Sequence, residues 1–167
     1  VDSLKRKYNS DTQVDIFYYN PNIHPRSEYI ERLNAVKQVF HSDIEKVYPT
    51  TKLIICDWTP REYFEKINGH TNKPVRCPQC WSLRLNKAFE YAKTNKYDAV
   101  SSTMITSEYM DRDTIEKVAL KYMNDTKVPF IHDMEFNQEL KTGGFYKQNY
   151  CGCTFSLTER MQEKYSE

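Results

Sequence analysis

Two short stretches carry the chemistry of this chain. Arg76-Cys77-Pro78-Gln79-Cys80-Trp81 sets two thiols at C-x-x-C spacing, and Tyr150-Cys151-Gly152-Cys153 sets two more around a glycine. Together they hold four of the five cysteines, a clustering that random placement rarely produces. A helix predicted to begin at Pro78 turns Cys77 and Cys80 toward one ligand, and its dipole and free N–H groups, with Arg76 alongside, favour the thiolate form. Gly152 allows the second pair a tight backbone. Four thiolates satisfy zinc in tetrahedral geometry and equally a 4Fe-4S cube. A C-x-x-C at a helix start also describes a dithiol redox pair. Spacing does not separate these three chemistries. The expectation is that the fold joins both pairs, Cys77, Cys80, Cys151 and Cys153, around one metal centre. Cys56, at the end of an apolar run, reads as a buried structural cysteine.

Other chemistries find little support. No P-loop, dinucleotide-binding or H-E-x-x-H pattern occurs. The four histidines form no local ligand motif, and only His24, in the rigid loop Asn20-Pro21-Asn22-Ile23-His24-Pro25, has a suggestive setting. The net charge of +1 gives no global attraction to nucleic acid, so an RNA-binding surface must be a local patch. The chain is hydrophilic, with a mean hydropathy of −0.80, and no apolar run reaches membrane-spanning length. An odd number of cysteines without a secretory signal fits a reducing compartment, where paired thiols bind metal or do redox work. A cytoplasmic protein without membrane contact is expected.

The elements that position these residues follow an alternating pattern. At 167 residues the chain suits one domain with a real core. Residues 1–8 read as the tail of an uncapped helix. Val14–Tyr19 reads as a strand ending in the proline-rich loop, which sits where open α/β sheets place their sites. Ser27 is the predicted N-cap of a helix to Ser42, with Tyr29, Leu33, Val36 and Phe40 on one face. Lys52–Cys56 is predicted to be a buried strand. Thr59-Pro60-Arg61-Glu62 carries the signature of a capping box, opening a helix that Asn68-Gly69 stops. The helix from Pro78 runs to Thr94 with Trp81, Leu85, Ala88 and Ala92 inward. A strand at Tyr97–Ser101, a helix at Asp113–Met123, an edge strand at Val128–His132, an irregular stretch bent at Gly143-Gly144 and a helix at Phe155–Glu163 complete the chain. The result is an α/β sandwich with a mainly parallel sheet.

Several stretches together resemble one family. Phe17-Tyr18-Tyr19-Asn20-Pro21-Asn22-Ile23-His24-Pro25 with Glu28-Tyr29 and Arg32 resembles its opening signature. Arg76-Cys77-Pro78-Gln79-Cys80-Trp81 with Arg84-Leu85 resembles its first cysteine motif, Ser101-Ser102-Thr103-Met104 a strand end, and Tyr146-Lys147-Gln148-Asn149-Tyr150-Cys151-Gly152-Cys153-Thr154-Phe155-Ser156-Leu157 its ending. The chain is similar over most of its length to QueH-type epoxyqueuosine reductases.

The resemblance implies a Rossmann-like, HUP-class three-layer sandwich and the last step of queuosine biosynthesis, deoxygenation of epoxyqueuosine to queuosine in tRNA. It implies a 4Fe-4S cluster with an adjacent mononuclear iron, held by Cys77, Cys80, Cys151 and Cys153, and an electron donor as a further partner. Asn20, Asn22, His24, Arg84, Tyr146, Lys147 and Gln148 become the expected substrate-binding residues, the last three through stacking and phosphate pairing. The chain departs from the family pattern in two places. The expected first strand, with its Cys-Cys pair, would precede Val1, so residues 1–167 read as a single HUP-like domain lacking that element, and activity from these residues alone is not expected. Gly143-Gly144-Phe145 also leads directly into Tyr146, where the family has a longer helical segment. Two rival functions share the cysteine pattern: a zinc-stabilised RNA-binding module and a thiol–disulfide oxidoreductase.

Overall fold

The computed structural model describes residues 1–9, 11–107, 110–133 and 150–166. Its elements run α1 (Asp2–Lys7), β1 (Ile16–Tyr18), α2 (Arg26–Val39), α3 (Glu45–Val47), β2 (Leu53–Ile55), α4 (Pro60–Ile67), α5 (Lys73–Thr94), β3 (Val100–Ser101), α6 (Arg112–Thr126), β4 (Phe130–Ile131) and α7 (Thr154–Tyr165). A π-helical stretch, Phe40–Ile44, joins α2 to α3, and a 3-10 turn, Thr103–Thr106, follows β3. The strand–helix alternation is as the sequence predicts. β1 pairs in parallel with β2, Ile16 opposite Leu53, and β3 with β4, Val100 opposite Phe130. Among the described residues these are two separate two-stranded sheets. The protein is α/β with short parallel strand pairs.

The strands are shorter than the apolar runs suggest, and side chains account for one boundary. Asp15 Oδ1 accepts from Lys52 N–H at 2.9 Å, and Gln13 Nε2 donates to Thr50 O at 2.6 Å. Side chains thus replace ladder bonds before Ile16. The run at Lys52–Cys56 is not fully buried, because Ile55 is 40 % exposed and Cys56 is half-buried.

Three helix starts differ from expectation. Ser27 does not cap α2. Pro25 precedes the helix, its carbonyl accepting from Tyr29 N–H at 3.2 Å, and no side chain caps the turn. Thr59 does precede α4, with Pro60 in the first turn, but the capping box does not form. Glu62 Oε2 instead accepts from the Tyr19 hydroxyl at 2.6 Å, a longer-range bond that outcompetes the local one. The third difference bears on the site. α5 begins at Lys73 rather than Pro78, because the Asn72 carbonyl accepts from Val75 and Arg76 N–H at 3.1 and 2.8 Å and Pro74 sits in the first turn. Pro78 therefore lies inside the helix, where its missing N–H removes one intrahelical bond.

α5 is the spine. Trp81, Leu85, Phe89 and Ala92 recur at helical spacing and pack with Val100, Ile115, Ala119 and Phe130 from β3, α6 and β4. Phe89 and Ile115 are fully buried, and burial of such a side chain is worth about 1.5–3 kcal/mol. A second cluster gathers Tyr18, Ile23 and Tyr29 with Leu33, Val36 and Trp58, fixing α2 and the proline-rich loop against β1 and β2. A third joins Tyr63 and Ile67 of α4 to Cys80 and Cys153. None of the described helices is long and apolar enough to cross a membrane.

Candidate metal centre

Cys77, Cys80, Cys151 and Cys153 line one open cavity. The first pair comes from the second and third turns of α5, one helical turn apart. The second comes from the turn entering α7, whose N-cap is Cys153. The fold therefore brings together two pairs separated by about seventy residues of sequence, as the spacing suggests. Cys151 Sγ and Cys153 Sγ lie 3.6 Å apart. Two thiolates bound at 2.3 Å to one tetrahedral ion stand about 3.8 Å apart, so this pair already has the bite of a chelate. Among the described residues no three His, Cys, Asp or Glu side chains converge closely enough to hold an ion as placed. The donor chemistry fits a soft metal, four sulfurs facing one space, with the second pair preset.

The helix-start environment expected for the first pair falls on the second. Helix α5 starts too early for its N-terminus to activate the first pair, and burial pushes the Cys77 thiol up and Cys80 to about 12. The helix-start effect falls on the other pair. Cys153 Sγ accepts from the Cys151 thiol and, at 3.3 Å, from Ser156 N–H in the first turn of α7. These bonds, the Cys151 thiol's first, with the nearby Arg76 guanidinium, hold Cys153 below the usual thiol range against the opposing effect of burial. Cys151, which donates to that sulfur, is pushed up.

Arg76 is 1 % exposed. Its guanidinium forks onto Glu159 of α7, Nη1 and Nη2 each donating at 2.9 Å, and Nη1 also donates to Thr71 O. It lies over the Phe155 ring at 5.2 Å. The Arg76–Glu159 pair thus ties α7 to the start of α5 directly beside the thiols.

The Cys-Gly-Cys turn is held from the opposite side by α2. Arg32 Nη1 donates to Cys151 O at 3.1 Å and Nη2 to Tyr150 O at 3.3 Å, while Nε pairs with Glu28 at 2.6 Å. His24 N–H donates to Gly152 O at 2.9 Å. Gly152 has φ +98°, and a Cβ there would sit 2.8 Å from Arg32 Nη1, so both its conformation and its neighbour demand glycine.

The expected substrate-binding residues divide. Asn22 and Arg84 are on the cavity wall, and Asn20 and His24 are not among its lining residues. Asn20 lies beside the Tyr18 hydroxyl. The His24 ring packs among Trp58, Tyr63 and Phe64, with centroids 5.7, 6.0 and 5.0 Å away, and burial lowers its pKa. Tyr146, Lys147, Gln148 and the bend at Gly143-Gly144 lie outside the described residues. Among the described residues, Asn22 Oδ1, the Tyr63 hydroxyl, Arg76 Nε and Arg84 Nε of the cavity residues are buried with no hydrogen-bond partner. Buried polar groups are ordinarily paired, so these four stand out among the residues around the thiols. Sequence reasoning missed Tyr63, Ser156 and Glu159 as site residues. It quoted Glu28 and Arg32 without a task. Their only sequence signal was the i, i+4 acid–base spacing of the last two.

Comparison with known proteins points the same way. The profile of the family described as Epoxyqueuosine reductase QueH matches residues 1–159. The chain is 29% identical to the epoxyqueuosine reductase QueH of Acinetobacter baylyi, across 95% of this chain and 75% of that protein. It is 30% identical to that of Thermotoga maritima, across 92% of this chain and 84% of the relative. Against the Helicobacter pylori protein of the same name the identity is 31%, across 84% of this chain and 41% of the relative.

Proposed function

The chain belongs to the epoxyqueuosine reductase QueH family, and from that premise we propose that it reduces epoxyqueuosine to queuosine in tRNA. The observation that carries the reading is the meeting of both cysteine pairs on one cavity wall with Asn22 and Arg84. Removal of the epoxide oxygen consumes two electrons and two protons and leaves an alkene and water. In this reading Cys77, Cys80, Cys151 and Cys153 hold metal, as part of the ligand set of a 4Fe-4S cluster with an adjacent iron. When bound, that centre supplies the electrons, delivered by an unidentified donor, and the Lewis acidity that a C–O bond needs to break.

The chain's own residues do the rest. Asn22 Oδ1 accepts from a hydroxyl of the substrate's cyclopentene-derived ring. Arg76 and Arg84 offset the negative charge of four thiolates in a half-buried setting. The Tyr63 hydroxyl, kept protonated by burial, holds a proton at the cavity floor. Tyr146, Lys147 and Gln148 contact the anticodon. The two parallel strand pairs belong to a Rossmann-like, HUP-class sandwich forming one domain, and the protein works in the cytoplasm.

Anaerobic purification followed by visible absorption and iron and sulfide analysis tests the metal reading. A brown protein with iron and sulfide in comparable amounts is expected; a colourless protein with stoichiometric zinc after anaerobic reconstitution refutes it and favours the zinc-stabilised module. A metal-free protein in which Cys77 and Cys80 cycle as a disulfide favours the oxidoreductase.

A further inference from the structure

We propose that Arg32 is the positioning residue of the second cysteine pair, the group that sets Cys151 and Cys153 in register with Cys77 and Cys80 so that four thiols act as one chelate. The inference rests on the metal reading above and concerns a residue that touches no thiol.

The local bonds of the Cys-Gly-Cys turn fall on its cysteine side chains and on the Cys153 carbonyl, where α7 begins; they leave the Tyr150, Cys151 and Gly152 carbonyls to other elements. Its middle residue takes a left-handed backbone conformation, and glycine has more freedom to lose on folding than any other residue. Those three carbonyls are held from elements distant in sequence. The Arg32 guanidinium uses both terminal nitrogens on consecutive carbonyls, those of Tyr150 and Cys151, at 3.3 and 3.1 Å. It also lies over the Tyr150 ring at 5.2 Å. Its third nitrogen is aimed by Glu28 at 2.6 Å, and the side chains of this ion pair are only 17% and 9% exposed. The guanidinium fills the space where residue 152 would carry a Cβ. The remaining anchor, His24 N–H to Gly152 O at 2.9 Å, comes from the loop just before the same helix.

A planar fork with donors at fixed angles can fix two successive carbonyls, and a lysine ammonium cannot. Holding the Tyr150 and Cys151 carbonyls sets the peptide plane from which the Cys151 side chain leaves, and with it the 3.6 Å bite to Cys153. On the other side Arg76 holds α7 to α5. Arg32 and Arg76 therefore form two side-chain restraints on one turn, and of the two Arg32 acts on the peptide joining Cys151 to Gly152, beside the His24 bond to the next carbonyl. This is the role that outer partners of metal ligands play when they orient the ligand without touching the metal, and loss of such a partner typically weakens metal affinity about 10–100-fold.

The test uses cobalt(II) added to the reduced, metal-free full chain, with affinity read from competition with a chelator and ligand number read from the thiolate-to-cobalt absorption per bound ion. Arg32→Gln, shown folded by circular dichroism, is expected to bind cobalt about 10–100-fold more weakly, with absorption per ion falling toward that of a site with fewer thiolates. Arg32→Lys should not rescue it. Removing both thiols of the pair, Cys151→Ser with Cys153→Ser, should cost less in the Arg32→Gln background than in the wild-type chain, because coupled groups are not additive. Should Arg32→Gln fail to fold, Glu28→Gln reads the same point more mildly, since it removes only the carboxylate that aims the guanidinium. Cobalt affinity and absorption unchanged in a folded variant, or full additivity with loss of the pair, overturns the inference. A wild-type chain that takes up no cobalt overturns the metal reading itself, a different and separable outcome.

Discussion

Gly152 and Asn22 are the residues whose surroundings make the sharpest demands. Alanine at 152 meets two costs at once, a left-handed backbone and a Cβ 2.8 Å from the Arg32 guanidinium. Strain of the first kind is worth about 1–3 kcal/mol, so Gly152→Ala is expected to lower the denaturant midpoint of the metal-free protein by at least that equivalent. An unchanged midpoint would mean that Arg32 is not seated as described. Asn22 is 3% exposed and lines the cavity, and among the described residues its Oδ1 has no hydrogen-bond partner. Asn22→Ala should raise KM for epoxyqueuosine-containing tRNA, with a loss in kcat/KM of about five-fold for one hydrogen bond of roughly 1 kcal/mol. Unaltered steady-state kinetics would remove it from the substrate's contacts. These two residues were partly readable in advance. A glycine between two cysteines announces a tight turn, and a polar loop after a strand announces a site. The left-handed backbone at Gly152 favours glycine by itself, and Arg32, more than a hundred residues earlier in the chain, adds a close contact that no local motif announces.

At the scale of elements, two polar junctions decide how the pieces meet. Asp15 accepts from Lys52 N–H at 2.9 Å, from Gln13 Nε2 at 2.6 Å and from the Tyr97 hydroxyl, joining β1, β2 and the approach to β3. Burial works to raise its pKa, but these bonds together outweigh it and hold the carboxyl below the usual value. The folded pKa is depressed, so the stabilisation is complete above the unfolded carboxyl's pKa and is lost as pH falls through the folded one. Thermal denaturation of the wild-type chain should therefore weaken more steeply below about pH 4 than that of Asp15→Asn. Parallel acid profiles would deny the junction its role. At the second junction, Glu159→Gln leaves the Arg76 charge buried and without its forked partner. Breaking such a pair costs about 3–5 kcal/mol, here reduced because Glu159 is 35% exposed. The variant should detach α7 from α5 and weaken metal retention. Retention equal to wild type would show that the pair is not needed to hold α7. The capping box at Thr59-Pro60-Arg61-Glu62 illustrates the limit of local reading. Its residues have the right spacing, yet Glu62 bonds Tyr19 from another element.

For the whole molecule, the expectation concerns function in the cell. Expression of the full-length gene in a bacterial strain lacking epoxyqueuosine reductase should restore queuosine in tRNA, measured by nucleoside mass spectrometry, whereas residues 1–167 alone should not. A Cys77→Ser, Cys80→Ser double variant should leave epoxyqueuosine in place. Restoration by the double variant at the wild-type level would show that the first pair is dispensable. The molecule serves such chemistry through its layout. The buried face of α5 packs on α6, β3 and β4, which makes it rigid. Its first turns present Cys77, Cys80 and Arg84 to the cavity, and α2, the proline-rich loop and α7 close on the second pair from the other side.

The sequence by itself determined much of what depends on neighbours a few residues away, though not the helix caps at Ser27 and Thr59 or the start of α5. The alternation of strand and helix, the apolar face of α5, the stop at Asn68-Gly69 and the two cysteine pairs all follow from periodicity, backbone preference and spacing, which act locally. The tertiary structure decided what depends on residues far apart in the chain. It put the Cys153 sulfur at the start of α7, where it accepts from the Cys151 thiol and Ser156 N–H, and it buried Cys80 on α5. It placed Asn22 and Arg84 on the cavity wall and left Asn20 and His24 off its lining. It gave Arg32 and Glu159 their partners, 119 and 83 residues away. The physical reason is common to all three. Burial, charge pairing and hydrogen-bond competition are settled by which groups the folded chain brings within a few ångströms, and short sequence motifs do not contain that distance.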